Sequence, residues 1–200
     1  MAKAQTIGTE NIGRNFHGLE HTQEEFHETE FEDCTFTGCD FSGVRFKRCR
    51  FTDCTFDRCN LSVMKVDQSE FRSVTFKECK MIGIDWTKAL WPKPSLFPSL
   101  SMHACLVNDS SFFALSLADM VLEACTAHEA DFREGSFIKG NFSQTDFAGS
   151  LFARTNLSGA DFTDATGYDI DLRINTLSKA KFSRFEAVRL LESLGIELVD

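Results

Sequence analysis

The chain has 200 residues and a formal charge of −9, with 42 % apolar residues, 21 Phe, 8 Cys and only 3 Pro. That apolar content offsets the entropy of ordering, so a disordered chain is excluded, and no apolar run reaches the length of a membrane-spanning helix. The net negative charge argues against direct nucleic-acid binding, which relies on Lys and Arg displacing phosphate counterions. The segment from Met1 to Glu10 has no apolar core of a secretory signal. Free thiols and a cytoplasmic location are therefore expected.

The first element is a period of five. Phe26, Phe31, Phe36, Phe41, Phe46, Phe51, Phe56, Leu61, Val66, Phe71, Phe76, Met81 and Trp86 form an unbroken apolar series. A second series, one residue out of phase, runs Met102, Val107, Phe112, Leu117, Leu122, Ala127, Phe132, Phe137, Phe142, Phe147, Phe152, Leu157 and Phe162. Two residues before many of these central positions lies a small or modest side chain, such as Val44, Ser110, Ala130, Gly135, Gly140, Ser150 and Ala160, and every Cys occupies that slot: 34, 39, 49, 54, 59, 79, 105 and 125. Neither the helical period of 3.6 nor the strand period of 2 fits this pattern. A chain that turns a corner every five residues does. The centre and the residue two before it then point to one side, as alternate residues of an extended segment do. Four sides close a coil of twenty residues, and coils pair at the interstrand spacing of about 4.8 Å. The expectation is an all-β, right-handed quadrilateral β-helix, with Phe and Cys stacked inside it. Tyr is expected to be avoided there, because its hydroxyl would need a partner in a dry column.

The pattern divides the chain, taken as a single solenoid domain, into a coil stack at 16–91, a Pro-containing loop or kink at 92–101, a second stack at 102–182 and a cap at 183–200. The break carries Trp91, Pro92, Pro94, Phe97 and Pro98, and Pro has no N–H to give to a ladder. In the cap, Ser183 and Glu186 read as a capping box for a short helix from Arg184 to about Leu194, which Gly195 ends. The alternating tail Ile196 to Val199 reads as a strand.

No catalytic, cofactor or metal constellation is present in the pattern: the five His lack spaced Cys or carboxylate partners, and the Cys slot points inward. A non-enzymatic protein is expected, and a thiol-based metal or redox protein is the less favoured reading. Charge is more informative. Residues 1–93 carry 15 acids and 13 bases, net −2, whereas residues 94–200 carry 15 acids and 8 bases, net −7. The second half includes Asp109, Asp119, Glu123, Glu129, Asp131, Glu134, Asp146, Asp161, Asp164, Asp169 and Asp171. This pattern is either a solvated acidic face or a rod whose charge imitates a nucleic-acid backbone. The basic cluster Arg45, Lys47, Arg48 and Arg50 does not fit uniform mimicry.

The unit Cys/Ala-Asp/Asn-Phe/Leu-Ser/Thr-Gly, repeated from about 26 to 182, resembles the pentapeptide-repeat family. Three segments are similar to its topoisomerase-protecting branch, which includes the albicidin-resistance and Qnr quinolone-resistance proteins. They are Phe182 to Ile196, Asp161 to Asp171, and Cys79 to Trp86 with Ala89 to Pro92; the last is closest to the albicidin-resistance pattern. The resemblance implies a rod that dimerises through its C-terminal ends, with Phe185, Leu190, Leu191, Leu194, Ile196 and Leu198 at the interface. It also implies that the rod binds DNA gyrase, with topoisomerase IV as a further partner, in place of DNA, with the acids above facing the enzyme and no cofactor involved. Long surface loops of the Qnr kind are not evident, which favours a natural-product poison such as albicidin over fluoroquinolones. The alternative is a structural or regulatory protein-binding β-helix with no topoisomerase role.

Overall fold

The computed structural model describes residues 6–91 and 100–196. Short parallel strands stack with a register of twenty residues. One side runs Asn15–His17, Thr35–Thr37, Thr55–Asp57, Val74–Lys77, Leu100–His103 and Val121–Glu123 in a single sheet. A second side pairs Glu10–Ile12, Glu30–Glu32, Arg50–Thr52 and Glu70–Arg72. Single bridges such as Glu20 to Asp40 to Asn60 to Lys80, and Glu25–His27 with Arg45–Lys47, make the third and fourth sides. The whole is a parallel β-solenoid of about 8 turns with one short C-terminal helix.

The period of five follows from the corners. The residue two after most centres has a left-handed backbone, whether it is Gly13 (φ 61°) or a side chain such as Asp33 (50°), Arg48 (54°) or Ala104 (53°). That single residue swings the chain onto the next side, and the centre and its inward partner are left facing the interior. The central Phe rings then lie flat upon their counterparts one coil away. Phe16, Phe36, Phe56 and Phe76 follow each other at 5.0, 4.5 and 5.1 Å between ring centres, within 13° of parallel. Neighbours within a coil meet edge to face, as Phe31 and Phe36 do at 5.4 Å and 69°. Both are favoured aromatic geometries.

The inward slot before each centre is more than filler. At many corners its backbone N–H faces inward, away from the ladder. The side chain one coil further on accepts it. Cys39, Cys59 and Cys79 donate their N–H groups to the sulfurs of Cys59, Cys79 and Cys105, each at 3.4 Å. Cys105 donates to the Cys125 sulfur at 3.3 Å, and Cys125 to Thr145 Oγ1 at 3.1 Å. Thr145 Oγ1 in turn donates to the Leu122 carbonyl at 2.7 Å. Small polar or sulfur-bearing residues thus satisfy donors that would otherwise be buried unpaired. Where the slot holds Gly135, a β-carbon would lie 2.4 Å from the Phe137 ring, so a side chain there would require that ring to move.

On three sides the coils that flank 92–99 pair directly with each other. Val74–Lys77 pairs with Leu100–His103, Asp85 bridges Ser111, and Trp86 stacks on Phe112 at 6.3 Å and 17°. The 26-residue step from Cys79 to Cys105, in place of the usual 20, is therefore extra chain within one coil. The runs 16–91 and 102–182 share one sheet. Pro92, Pro94, Phe97 and Pro98 lie outside the described residues. Trp91 is half-buried against the core and donates its indole N–H to the Trp86 carbonyl at 3.1 Å.

The N-terminal end has its own cover. Asn11 takes a central position and is buried, with its amide on the carbonyls of Gly8 (2.8 Å) and Glu30 (3.2 Å). The Arg14 guanidinium lies 4.7 Å over the Phe16 ring and closes that aromatic column with a cation.

The C-terminal end departs from the sequence reading in three ways. Ser183 does not cap a helix: its hydroxyl accepts from the Asp164 N–H (2.7 Å) and donates to the Asp164 carboxylate (2.8 Å). With Ser183 engaged in the last coil, the chain makes only a 3₁₀ turn at Glu186–Val188 and a short α-helix at Arg189–Glu192, with no side-chain cap at either. Second, the register slips on one side of the last full coil, while Asp146 to Thr166 before it and Asn156 to Thr176 after it keep the twenty-residue step. Leu151 pairs with Asp169, and Phe152 with Ile170, although a strict period would bring residue 171 opposite Leu151. Gly167 permits this, at φ 68° and so close to the preceding coil that a β-carbon would lie 2.8 Å from the Ala148 nitrogen. Third, the slip brings Tyr168 into the inward slot. It is fully buried, and its hydroxyl has no hydrogen-bond partner among the described residues. Burial, then the nearby Glu186 carboxylate, pushes its pKa up to about 12. The expected strand at 196–199 lies almost wholly outside the described residues.

Two substitutions test this end. Gly167→Ala should lower the thermal midpoint by several degrees, since a left-handed residue with backbone contact costs about 1–3 kcal/mol when it gains a side chain. Tyr168→Phe should leave the midpoint unchanged or raise it, because it removes a buried hydroxyl that has no partner.

Candidate functional site: the outer sides and the C-terminal end

All eight Cys are free and buried. Burial pushes the Cys54 thiol up to about 12 and raises that of Cys49, so neither is an activated nucleophile. No group of three or more His, Cys, Asp or Glu among the described residues could hold a metal ion. What the molecule offers a partner is its surface.

The acids singled out in the sequence do not gather on one side. Asp109, Glu129 and Asp146 lie along the third side, Glu123, Asp161 and Asp164 along the first, Asp131, Glu134, Asp169 and Asp171 along the fourth, and Asp119 at a corner of the second. Several are countered locally. Asp131 takes Arg133 at 2.8 Å, Asp171 takes Arg173 at 2.7 Å, Asp161 takes Lys181 at 3.0 Å, and Glu134 takes Arg154. Four of the His do have carboxylate partners: His21 lies 2.9 Å from Glu24 and His27 2.6 Å from Glu25, close in sequence, while His103 lies 2.9 Å from Glu123 and His128 2.8 Å from Asp146, one coil away, where linear spacing had hidden them. Asp109, Asp119, Glu129, Asp164 and Asp169 have no cationic partner among the described residues. In the first half, Arg48 pairs with Glu28 at 2.7 Å, Arg50 with Glu30 at 2.8 Å and Arg45 with Asp67 at 3.4 Å, so the basic cluster is largely neutralised in place.

At the C-terminal end the expected interface residues separate. Leu190 packs into the rod's own core and Leu191 is half-buried. Phe185 is 90 % exposed, Val188 43 %, Leu194 45 % and Ile196 46 %. This is a cluster of exposed apolar side chains at one end of the rod, the kind of surface that marks a contact site. Leu198 lies outside the described residues. No helix is long and apolar enough to cross a membrane.

Family models for a pentapeptide repeat region and for pentapeptide repeats match residues 29–102 and 128–164, together more than half of the chain. The chain belongs to the pentapeptide-repeat family. No curated protein sequence matches it. Among solved structures, a trypsin-treated variant of QnrB1, a plasmid-mediated fluoroquinolone resistance protein, is similar with a TM-score of 0.74 and 21 % identity, over 96 % of this chain and 99 % of that one. A second trypsin-treated QnrB1 variant gives 0.66 and 22 %, over 92 % and 100 %. Full-length QnrB1 gives 0.54 and 21 %, over 91 % and 100 %. At these identities the likeness establishes the solenoid fold of this family member.

Two measurements follow from the surface and the core. Thiol titration should show the Cys residues of the native rod reacting slowly and all 8 reacting in denaturant; fast native reaction would contradict the inward slot. The Arg133 and Arg173 guanidinium groups hold the carboxyls of Asp131 and Asp171 below the ordinary range. A depressed folded pKa gives stability that is present above the ordinary carboxylate pKa and is lost as pH falls through the folded one. The urea midpoint should therefore hold from neutral pH to about 5 and decline below about 4. Replacing both arginines by Met should weaken that decline.

Proposed function

We propose that the rod binds DNA gyrase, as an end-to-end homodimer, and protects it from a topoisomerase poison. The observation that carries this reading is the end-to-end correspondence with a fluoroquinolone resistance protein, in which nearly all of each chain is matched at a TM-score of 0.74. The exposed apolar cluster of Phe185, Val188, Leu194 and Ile196 supports pairing through the C-terminal ends. About 8 coils at roughly 4.8 Å make a rod near 40 Å, and a dimer near 80 Å. Pairing brings the more acidic halves together at the middle. The acids without cationic partners, Asp109 and Glu129 on one corner, with Asp119, Asp164 and Asp169, are the ones we assign to face gyrase in the manner of a nucleic-acid backbone. Because the countered acids contribute little net field, this mimicry is confined to those positions. The sequence's lack of long loops favours albicidin or a related natural product over fluoroquinolones as the poison.

Purified protein should restore gyrase supercoiling in the presence of albicidin, with a weaker effect against a fluoroquinolone. Absence of gyrase binding and of protection against every poison tried would leave the general protein-binding solenoid as the reading. Phe185→Asp, at the most exposed position of that cluster, should convert the dimer to a monomer in sedimentation; an unchanged dimer would place the interface elsewhere.

A further inference from the structure

The register slip at Gly167 leaves a notch on the fourth side of the rod. Successive coils there present Asp131-Phe132-Arg133, Leu151-Phe152-Ala153 and Asp169-Ile170-Asp171. The middle strand Leu151-Phe152-Ala153 carries no charge, its corner residue Arg154 is paired with Glu134 one coil away, and Leu151 is 46 % exposed. The coil above is displaced, and beyond it the chain runs on through Arg173. An open groove of about 400 Å³ lies here, lined by Arg133, Leu151, Ala153, Asp169, Arg173 and Ser193, the last contributed by the C-terminal cap. Such a volume accommodates one or two side chains.

The electrostatics of the walls are specific. Arg133 is held through its Nε and Nη2 on the two carboxylate oxygens of Asp131 (2.9 and 2.8 Å) and lies 5.9 Å over the exposed Phe113 ring. Arg173 is held the same way on Asp171 (3.0 and 2.7 Å). Both guanidinium forks are thus satisfied by their own carboxylates. Asp169 is exposed and has neither a cation nor a hydrogen-bond partner among the described residues. It stands directly over Leu151 in the ladder. The notch therefore offers an apolar floor and, one coil or about 4.8 Å away, a single uncountered carboxylate.

We propose that this notch docks an extended segment of a partner protein carrying an aliphatic residue and, two positions on, a Lys or Arg. Alternate side chains of an extended segment project to one side about 6.6–6.8 Å apart. The aliphatic side chain rests on Leu151 and Ala153, and the flexible stem of the basic residue takes up the remaining offset to reach Asp169. An acidic residue at that second position meets Asp169 as a like charge and is rejected.

The test is amide chemical-shift mapping of the full-length protein, titrated at millimolar concentration with the blocked tripeptides acetyl-Leu-Ser-Lys-amide and acetyl-Leu-Ser-Glu-amide. The Lys peptide should shift the amides of 151–153 and 169–173, the Glu peptide should not, and Asp169→Asn should weaken binding roughly tenfold, about 1.4 kcal/mol. Leu151→Ser, on the exposed floor, should abolish the shifts without changing the rest of the spectrum. Failure of the Lys peptide to shift these amides, equal binding of the two peptides, or indifference to Asp169→Asn would each overturn the proposal. So would a variant shortened to end at Ile196 that shifts the same amides with no peptide present, since the chain's own residues 197–200 would then be the occupant. None of these readouts uses gyrase, so the notch and the gyrase reading stand or fall separately.

Discussion

Every coil of this molecule rests on a copy of itself displaced by one interstrand spacing. The backbone ladder fixes that spacing near 4.8 Å, and it decides which side chains the interior can hold. A residue in a column must tolerate a similar residue directly above and below it. Flat rings do so well: the Phe rings are 4.5 to 5.1 Å apart along the first column. Thiols and hydroxyls do so in another way, by accepting the corner N–H of the coil before. The excess of Phe and Cys is thus a consequence of translation along one axis.

The same constraint explains what could be read from sequence. A column needs chemical self-similarity at a fixed interval, so the centre series and the Cys slot announce the solenoid without ambiguity. The step across 92–99 was visible as a change of phase, and its effect, extra chain within a coil whose ladder continues, follows because Phe76 still finds Met102 opposite it. The hydrogen-bonding role of the Cys slot was not legible, since inward packing alone accounts for small residues. The slip at Gly167 was hidden too. Leu172 sits where the period places a centre, yet Ile170 takes that position, because a glycine corner can lie closer to the preceding coil than any other residue. Tyr168 is buried as a result of that slip.

The outer surface was the least legible part. Residues twenty apart are neighbours, so an acid and its cation can be distant in sequence and adjacent in space, as Glu134 and Arg154 are, or His103 and Glu123. Counting charges along the chain overstates the field around the rod. What remains after local pairing is a few carboxylates at separate places, and an apolar end whose side chains point outward. Recognition by such a body rests on discrete contacts more than on a uniform field.

The uniform twenty-residue register also governs how the chain finds its structure. Nearly every interior contact joins residues about one coil apart, so the mean contact separation relative to chain length is on the order of 0.1, a value usual for helical bundles and low for an all-β protein. A single coil has left-handed corners and no neighbour to accept its N–H groups, so it does not persist alone. Two or three stacked aromatic coils, such as those around Phe31 to Phe56, form a seed on which further coils are laid one at a time. Assembly therefore resembles the growth of a crystal along one axis more than the closure of a globule.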